Sequence, residues 1–383
     1  MKMSQSWVLQ KAVLRPCVPD SKRRSLTSIA INRRGGLKCF RSTEFGFGAQ
    51  NQPVWGQRYK PTLMRAAETL QVASTTPGNL DIAKGVSVAV IGVGLMGNKI
   101  ARRLASQSAN VLAWNRSAEK LAALPEASIS VCSTVADAAT AANVLLLTLS
   151  DAATIRETIL SDDVQHLLAG KIVLQMGTIG PKESSALAAE VASAGGRYIE
   201  APVLGSQPEV EKGTLLIMVG ADTDPRDDSD GPVWPLLRAL GQEPNIHYIG
   251  PVGTAAAVKL ALNQLIASLT IGFSTSLGLV QRSGAPVDKF MSILRASALY
   301  APTYDKKLQK MLDRDYGAAN FPTKHLLKDV RLFENEAAAA GLDTRLLAAL
   351  KAVTQDAVDR GLANTDYSAV FDAVAHPEDV KEQ

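Results

Sequence analysis

Two hydrophobic rhythms divide the chain. Between residues 84 and 250, short apolar runs such as VSVAVI, NVLAW, NVLLLTL and KIVLQM recur, and stretches of helical period separate them. Strands alternating with helices at this spacing predict an α/β unit with a parallel sheet, whose ligands lie at the carboxyl ends of the strands. From Thr254 onward the strand signals stop. ALNQLIASLTIGFSTSLGLVQRSG reads as one long helix ending near Gly284, with Thr254 as its expected N-cap. DVRLFENEAAAAG and TRLLAALKAVTQDAVDRG follow, with glycine at each end point. The expected division is a leader and linker over 1–83, a sheet domain over 84–250 and an all-helical domain over 251–383.

Charge separates the leader from the rest. Residues 1–60 hold 12 Lys or Arg against only Asp20 and Glu44, so a chain of net charge +4 leaves about −6 for the remainder. A basic, acid-poor, hydroxyl-containing leader has the character of an organelle transit peptide, with the chloroplast expected before the mitochondrion. Its SKRR run could instead mark a nuclear signal or a nucleic-acid patch. Cys17 and Cys39 lie in the leader, which leaves Cys132 alone and without a disulfide partner in a processed chain. The longest apolar stretch, 258–280, contains Lys259, Asn263 and Gln264, each costly in hydrocarbon. It is expected to pack between domains or subunits, with no membrane partner. The four histidines are scattered and no cysteine pair accompanies them, so no metal site is indicated.

The chemistry begins at VIGVGLMGNKIA, where Gly92, Gly94 and Gly97 follow a strand and open a helix. In that context G-x-G-x-x-G is a dinucleotide fingerprint of Rossmann type. Val93, Leu95 and Met96 complete the turn, and the helix N-terminus offers free N–H groups to a pyrophosphate. The next strand ends in Asn115, Arg116 and Ser117, where a cofactor with a free ribose 2′-hydroxyl usually meets an acid. A guanidinium there suits a 2′-phosphate, so the expected cofactor is NADPH over NADH. Ser150 and Thr178 fall at strand ends, where a hydroxyl either meets ligand or caps a helix. In GPVGTAAAVKLALNQ a single charge, Lys259, stands among apolar residues, with Asn263 on the same helix face. A charge that leaves water must find a partner, lose its proton or do chemistry.

With YIEAPVLGSQPEVEKGTLLIMVGA, FPTKHLLKDVRL and WNRS, these segments resemble the β-hydroxyacid dehydrogenase family from about residue 84 to 375, and most of all its plant-type glyoxylate and succinic semialdehyde reductase branch. The resemblance implies a cofactor domain, one long interdomain helix, an all-helical second domain, and homo-oligomers, dimers or tetramers. Lys259 matches the family's catalytic lysine and Asn263 the asparagine that holds lysine and substrate. Thr178 and Lys328 match positions near the cofactor, and Phe321 and Asp329 positions in the substrate pocket. The implied activity is NADPH-dependent reduction of a small aldehyde or keto acid.

The pattern departs from the family at two places. The segment that holds the substrate carboxylate reads Ala201, Pro202, Val203, Leu204, Gly205, Ser206, with Leu204 where the family has serine and Gly205 and Ser206 left to donate. Gly177 replaces the serine before Thr178. Lys324 and His325 read as a solvated helix face. Two other readings stay open: a different activity on the same scaffold, such as 3-hydroxyisobutyrate dehydrogenase or imine reduction, and a non-catalytic, chromatin-associated member with the leader as its nucleic-acid contact.

Overall fold

The computed structural model describes residues 82–124, 128–228 and 230–377, all of which belong to one compact unit. The transit-peptide expectation lies outside the described residues.

The sheet starts with β1 (Ser87–Ile91), and the glycine turn leads into α1 (Leu95–Ser106). Then come β2 (Asn110–Trp114), β3 (Ile129–Val131), α2 (Val135–Ala141), β4 (Val144–Leu147), α3 (Ala152–Ile159), β5 (Ile172–Gln175), α4 (Pro181–Ser193) and β6 (Arg197–Glu200). These six strands pair in parallel in the order β3-β2-β1-β4-β5-β6. Their near-continuous apolar character follows from burial on both faces. In β1, Val88 and Val90 enter the core under α1, while Ala89 and Ile91 enter the core on the opposite face. The chain then adds β7 (Val203–Leu204), α5 (Gln207–Lys212), β8 (Leu216–Gly220), α6 (Val233–Leu240) and β9 (Ile246–Gly250). Here β8 runs antiparallel to β6 and β7 and parallel to β9. Strand order reverses between β1 and β4, and in doubly wound sheets a ligand crevice opens at that switch point.

The long helix follows at once as α7 (Thr254–Arg282), 29 residues. Its N-cap is Gly253, and the Thr254 hydroxyl instead donates to the Pro251 carbonyl at 2.6 Å. The cap expected at Thr254 is therefore corrected: a glycine at φ +99° turns the chain, a conformation that a side chain resists. After α7 come α8 (Val287–Ala296), α9 (Pro302–Asp313), α10 (Thr323–Ala339), α11 (Arg345–Ala357) and α12 (Val370–Val374). Leu326 and Val330 of α10 and Leu347 and Leu350 of α11 close a second core around Ala267 and Ile271 of α7. By length and composition α7 could cross a membrane, yet Lys259, Asn263, Thr270 and Ser274 are buried along its inner side.

Candidate active site

A cleft of about 920 Å³ runs from the glycine turn to the N-terminal part of α10, a size typical of cofactor and substrate sites. Its floor is the turn itself. A Cβ on Gly97 would lie 2.0 Å from the Gly92 carbonyl oxygen, so only glycine lets α1 approach β1 this closely. At Gly94 a Cβ would meet nothing within 4 Å, which leaves the backbone open toward the cleft. Among the described residues no side chain caps α1, and no acid stands in its first turn. An uncapped helix N-terminus beside an open backbone fits the pyrophosphate of a dinucleotide.

Of the turn, Gly92, Gly94, Leu95, Met96 and Gly97 line the cleft, whereas Val93 points into the core and is 2% exposed. Val93 contributes through its backbone, donating to Asn115 Oδ1 at 2.8 Å. The Asn115 amide in turn donates to the Ser117 carbonyl at 2.9 Å. Both ends of the Asn115 side chain are thus taken up in bracing the glycine turn against the end of β2. Arg116 is exposed, lines the cleft, and makes no hydrogen bond or ion pair with any described residue. Lys120 lines the same end, a second cation that the sequence reading missed, although it stands only one helical turn beyond Arg116.

At the opposite end, Phe321, Lys328 and Asp329 line the cleft, as do Ser150 and Thr178. Lys328 reaches across from α10, and its ammonium donates to the carbonyls of Ser150 at 2.9 Å and Thr178 at 2.5 Å. The same ammonium stands 3.1 Å from Asp329 Oδ1 in an ion pair. The Ser150 hydroxyl donates to Asp151 at 2.6 Å, and Asp151, not Ser150, caps α3. Gly177 has a physical reason to lack the family's serine: a Cβ would lie 2.6 Å from the Leu149 carbonyl oxygen. The Gln175 amide also grips both the N–H and the carbonyl of Gly177.

Behind this wall lie Lys259 and Asn263, 8% and 2% exposed. Asn263 Nδ2 donates to Asp329 Oδ2 at 2.6 Å, and Asn263 Oδ1 finds no partner among the described residues. Lys259 makes no hydrogen bond or ion pair with any described residue. Burial lowers its pKa to about 8; the Asp329 charge holds it up and the neighbouring Lys328 charge presses it down.

The substrate segment departs from expectation. Leu204, Gly205 and Ser206 do not line the cleft. Leu204 is half-buried in β7, paired with Leu216. Ser206 opens α5, and its N–H and hydroxyl both go to the Glu209 carboxylate at 2.7 Å. Ser206 therefore has no free donor to replace the missing family serine, a correction that follows from the acid three residues on.

One further residue was misplaced from the sequence and another was not singled out. His325 lines the cleft and stacks on Phe321, ring centroids 6.5 Å apart and planes 11° apart. Burial holds its pKa below the usual histidine value. The solvated-face expectation holds for Lys324, which is exposed and bonds Asn364, but not for His325. Glu200, an acid closing the apolar strand β6, is 1% exposed and caps α7 from a distance. Its position in YIEAPV, where every neighbour but Tyr198 is apolar, was the available signal.

Comparison with known proteins bears on this arrangement. Residues 87–250 match the NAD binding domain of 6-phosphogluconate dehydrogenase, and residues 253–374 match the NAD-binding domain of NADP-dependent 3-hydroxyisobutyrate dehydrogenase. Glyoxylate/succinic semialdehyde reductase 1 of Arabidopsis thaliana is 30% identical over 295 residues, 76% of this chain and 98% of that protein. Cytokine-like nuclear factor N-PAC of Homo sapiens is 28% identical over 311 residues, 80% of this chain and 55% of that protein. A crystal structure of 3-hydroxyisobutyrate dehydrogenase from Salmonella typhimurium shares the fold, with TM-score 0.65 and 22% identity over 75% of this chain and 99% of that one. A glycine turn under an open cleft, a helical half that supplies the facing wall, and a relative matched over nearly its whole length lead to one assignment: the chain belongs to the β-hydroxyacid dehydrogenase family of NAD(P)-dependent oxidoreductases.

Proposed function

We propose that the chain reduces a small aldehyde or keto acid with NADPH, and that Lys259 supplies the proton. The observation that carries this reading is the Lys259 ammonium, buried without a bonded partner among the described residues, beside the Asp329–Lys328 pair that lines the cleft. NADPH, which the glycine turn and Arg116 would hold, would supply the hydride. As the carbonyl carbon accepts it, the C=O π electrons move to oxygen, and that oxygen takes a proton from Lys259 Nζ, which is recharged from solvent. A pKa of about 8 keeps the ammonium largely protonated at neutral pH yet acidic enough to give up its proton. Asn263 and Asp329 hold the lysine side of the pocket, and Phe321 with His325 forms its flat wall.

Arg116 and Lys120 place two cations where a 2′-phosphate would lie, and the end of β2 presents no acid to a 2′-hydroxyl. Phosphate at the glycine turn falls to the N–H groups of α1. Leu204 stands where the family has serine and lies outside the cleft, so this segment adds no hydroxyl donor, which favours substrates that do not depend on one. A panel of glyoxylate, succinic semialdehyde and larger carbonyls, each with NADPH, ranks the substrates. In the same assay Lys259→Ala is expected to lose about 10²- to 10⁴-fold in kcat while NADPH still binds. Near-normal turnover in that variant would overturn the reading.

The division into a leader over 1–83, a cofactor domain over 84–250 and a helical domain over 251–383 is part of the same proposal, as is import into a chloroplast or, failing that, a mitochondrion. Similarity to a nuclear factor favours one rival, a chromatin-associated protein. Import with removal of the leader supports the enzyme, and nuclear retention of the whole chain supports the rival. Homo-oligomerisation belongs here too: Val258, Leu265 and Leu269 form an exposed apolar stripe on α7 that a second copy would cover.

A further inference from the structure

Glu200 ends β6 and immediately precedes segment 201–206. Its Oε1 accepts three backbone N–H groups from the start of α7: Gly253 at 2.8 Å, Ala255 at 2.8 Å and Ala256 at 3.2 Å. Its Oε2 accepts from the Ser184 hydroxyl of α4, which also stands 3.1 Å from the Tyr198 hydroxyl. The seat for this carboxylate exists because β8 carries Gly220 opposite it; a Cβ there would lie 2.2 Å from Oε1. Since α7 has no capping side chain of its own, a residue more than 50 positions away satisfies its N-terminal donors. A carboxylate at a helix N-terminus meets both free N–H groups and the positive end of the dipole.

What this grip holds is specific. Ala255, Ala256, Lys259 and Asn263 make one buried face of α7, and Lys259 sits one turn beyond the N–H groups that Glu200 receives. One side chain thus joins the strand that runs into segment 201–206 to the helix that carries the lysine. We propose that Glu200 is a positioning residue, which sets the offset of Lys259 from the sheet whose strand ends carry the cleft. The inference rests on the reading of Lys259 as the proton donor. A misplacement of about 1 Å is enough to cost up to ~10²-fold in rate.

The test uses the full-length chain and compares wild type, Lys259→Ala, Glu200→Gln, Gly220→Ala and Ser184→Ala. It measures kcat and KM for the best carbonyl of the panel, NADPH affinity by fluorescence titration, and kcat against pH. Glu200→Gln keeps an acceptor but loses the charge, and Gly220→Ala displaces the carboxylate without altering it chemically. Both are expected to lower kcat about 10- to 100-fold, leave NADPH affinity within about twofold, and move the basic limb of the pH profile that Lys259 sets. The charged groups facing that lysine are Asp329 and Lys328; Tyr198 and Ser184 face Glu200. A role confined to stability would reduce the amount of folded protein and leave that limb in place. If either variant does not fold, Ser184→Ala decides: a roughly threefold lower kcat with a displaced limb supports the proposal, and unchanged kcat overturns it. Full activity of Lys259→Ala would sink the proton-donor reading itself. An inactive Lys259→Ala beside fully active Glu200→Gln and Gly220→Ala would sink only the positioning role.

Discussion

At the residue scale, Lys259 works against the stability of the fold that holds it. Its pKa falls from 10.5 to about 8 on burial, so below about pH 8 the folded chain carries a charge it would be more stable without. Between about pH 8 and 10.5 the unfolded chain holds the proton that the folded chain has released, and this group's contribution to stability rises with pH. Lys259→Met is therefore expected to unfold at a temperature several degrees higher than wild type at pH 7, as calorimetry can show, while losing turnover. The same ionisation makes kcat fall above about pH 8, because the proton donor is then empty. Arg116 offers a separate test: it has no partner among the described residues, and Arg116→Asp is expected to weaken NADPH binding by about 10-fold or more and narrow the gap to NADH, measured by titrating both cofactors. Restoring serine at 177 is expected to impair cofactor binding, since the Leu149 carbonyl occupies the space its Cβ needs.

At the element scale, α7 has two unlike sides. Its buried side carries the polar set Lys259, Asn263, Thr270 and Ser274, while Leu265 is 52% exposed on the other. An exposed leucine stripe along a helix of 29 residues is the surface expected to meet a second copy, and Leu265→Glu with Leu269→Glu should lower the sedimentation-equilibrium mass toward that of one chain. Unchanged mass would remove this stripe from the interface. The start of α7 shows where local rules reach their limit. Thr254 has the chemistry of a cap, but Glu200, already held by the sheet, brings a carboxyl oxygen to the donors at the helix start.

At the scale of the whole molecule, what was legible in the sequence was what repeats or is local. Apolar runs alternating with helical stretches gave the order of strands and helices, and the three glycines located the cofactor floor: Gly92 turns at φ +99°, Gly97 is pressed against Gly92, and Gly94 leaves the backbone open. What was not legible depends on which distant surfaces meet. Nothing in FPTKHLLKD distinguishes the face of α10 that reaches the cleft from the face in water, so His325 was misplaced while Lys324 was not. The committed donors of Ser206 were readable in principle, since Glu209 follows at capping distance. The hold of Lys328 on the opposite wall carries a consequence for how sequence can drift here. Its two acceptors are main-chain oxygens of Ser150 and Thr178, atoms that every amino acid possesses. Tolerance is therefore lopsided: positions 150 and 178 can exchange side chains without removing these two acceptors, whereas both bonds are lost with one change at position 328 of α10.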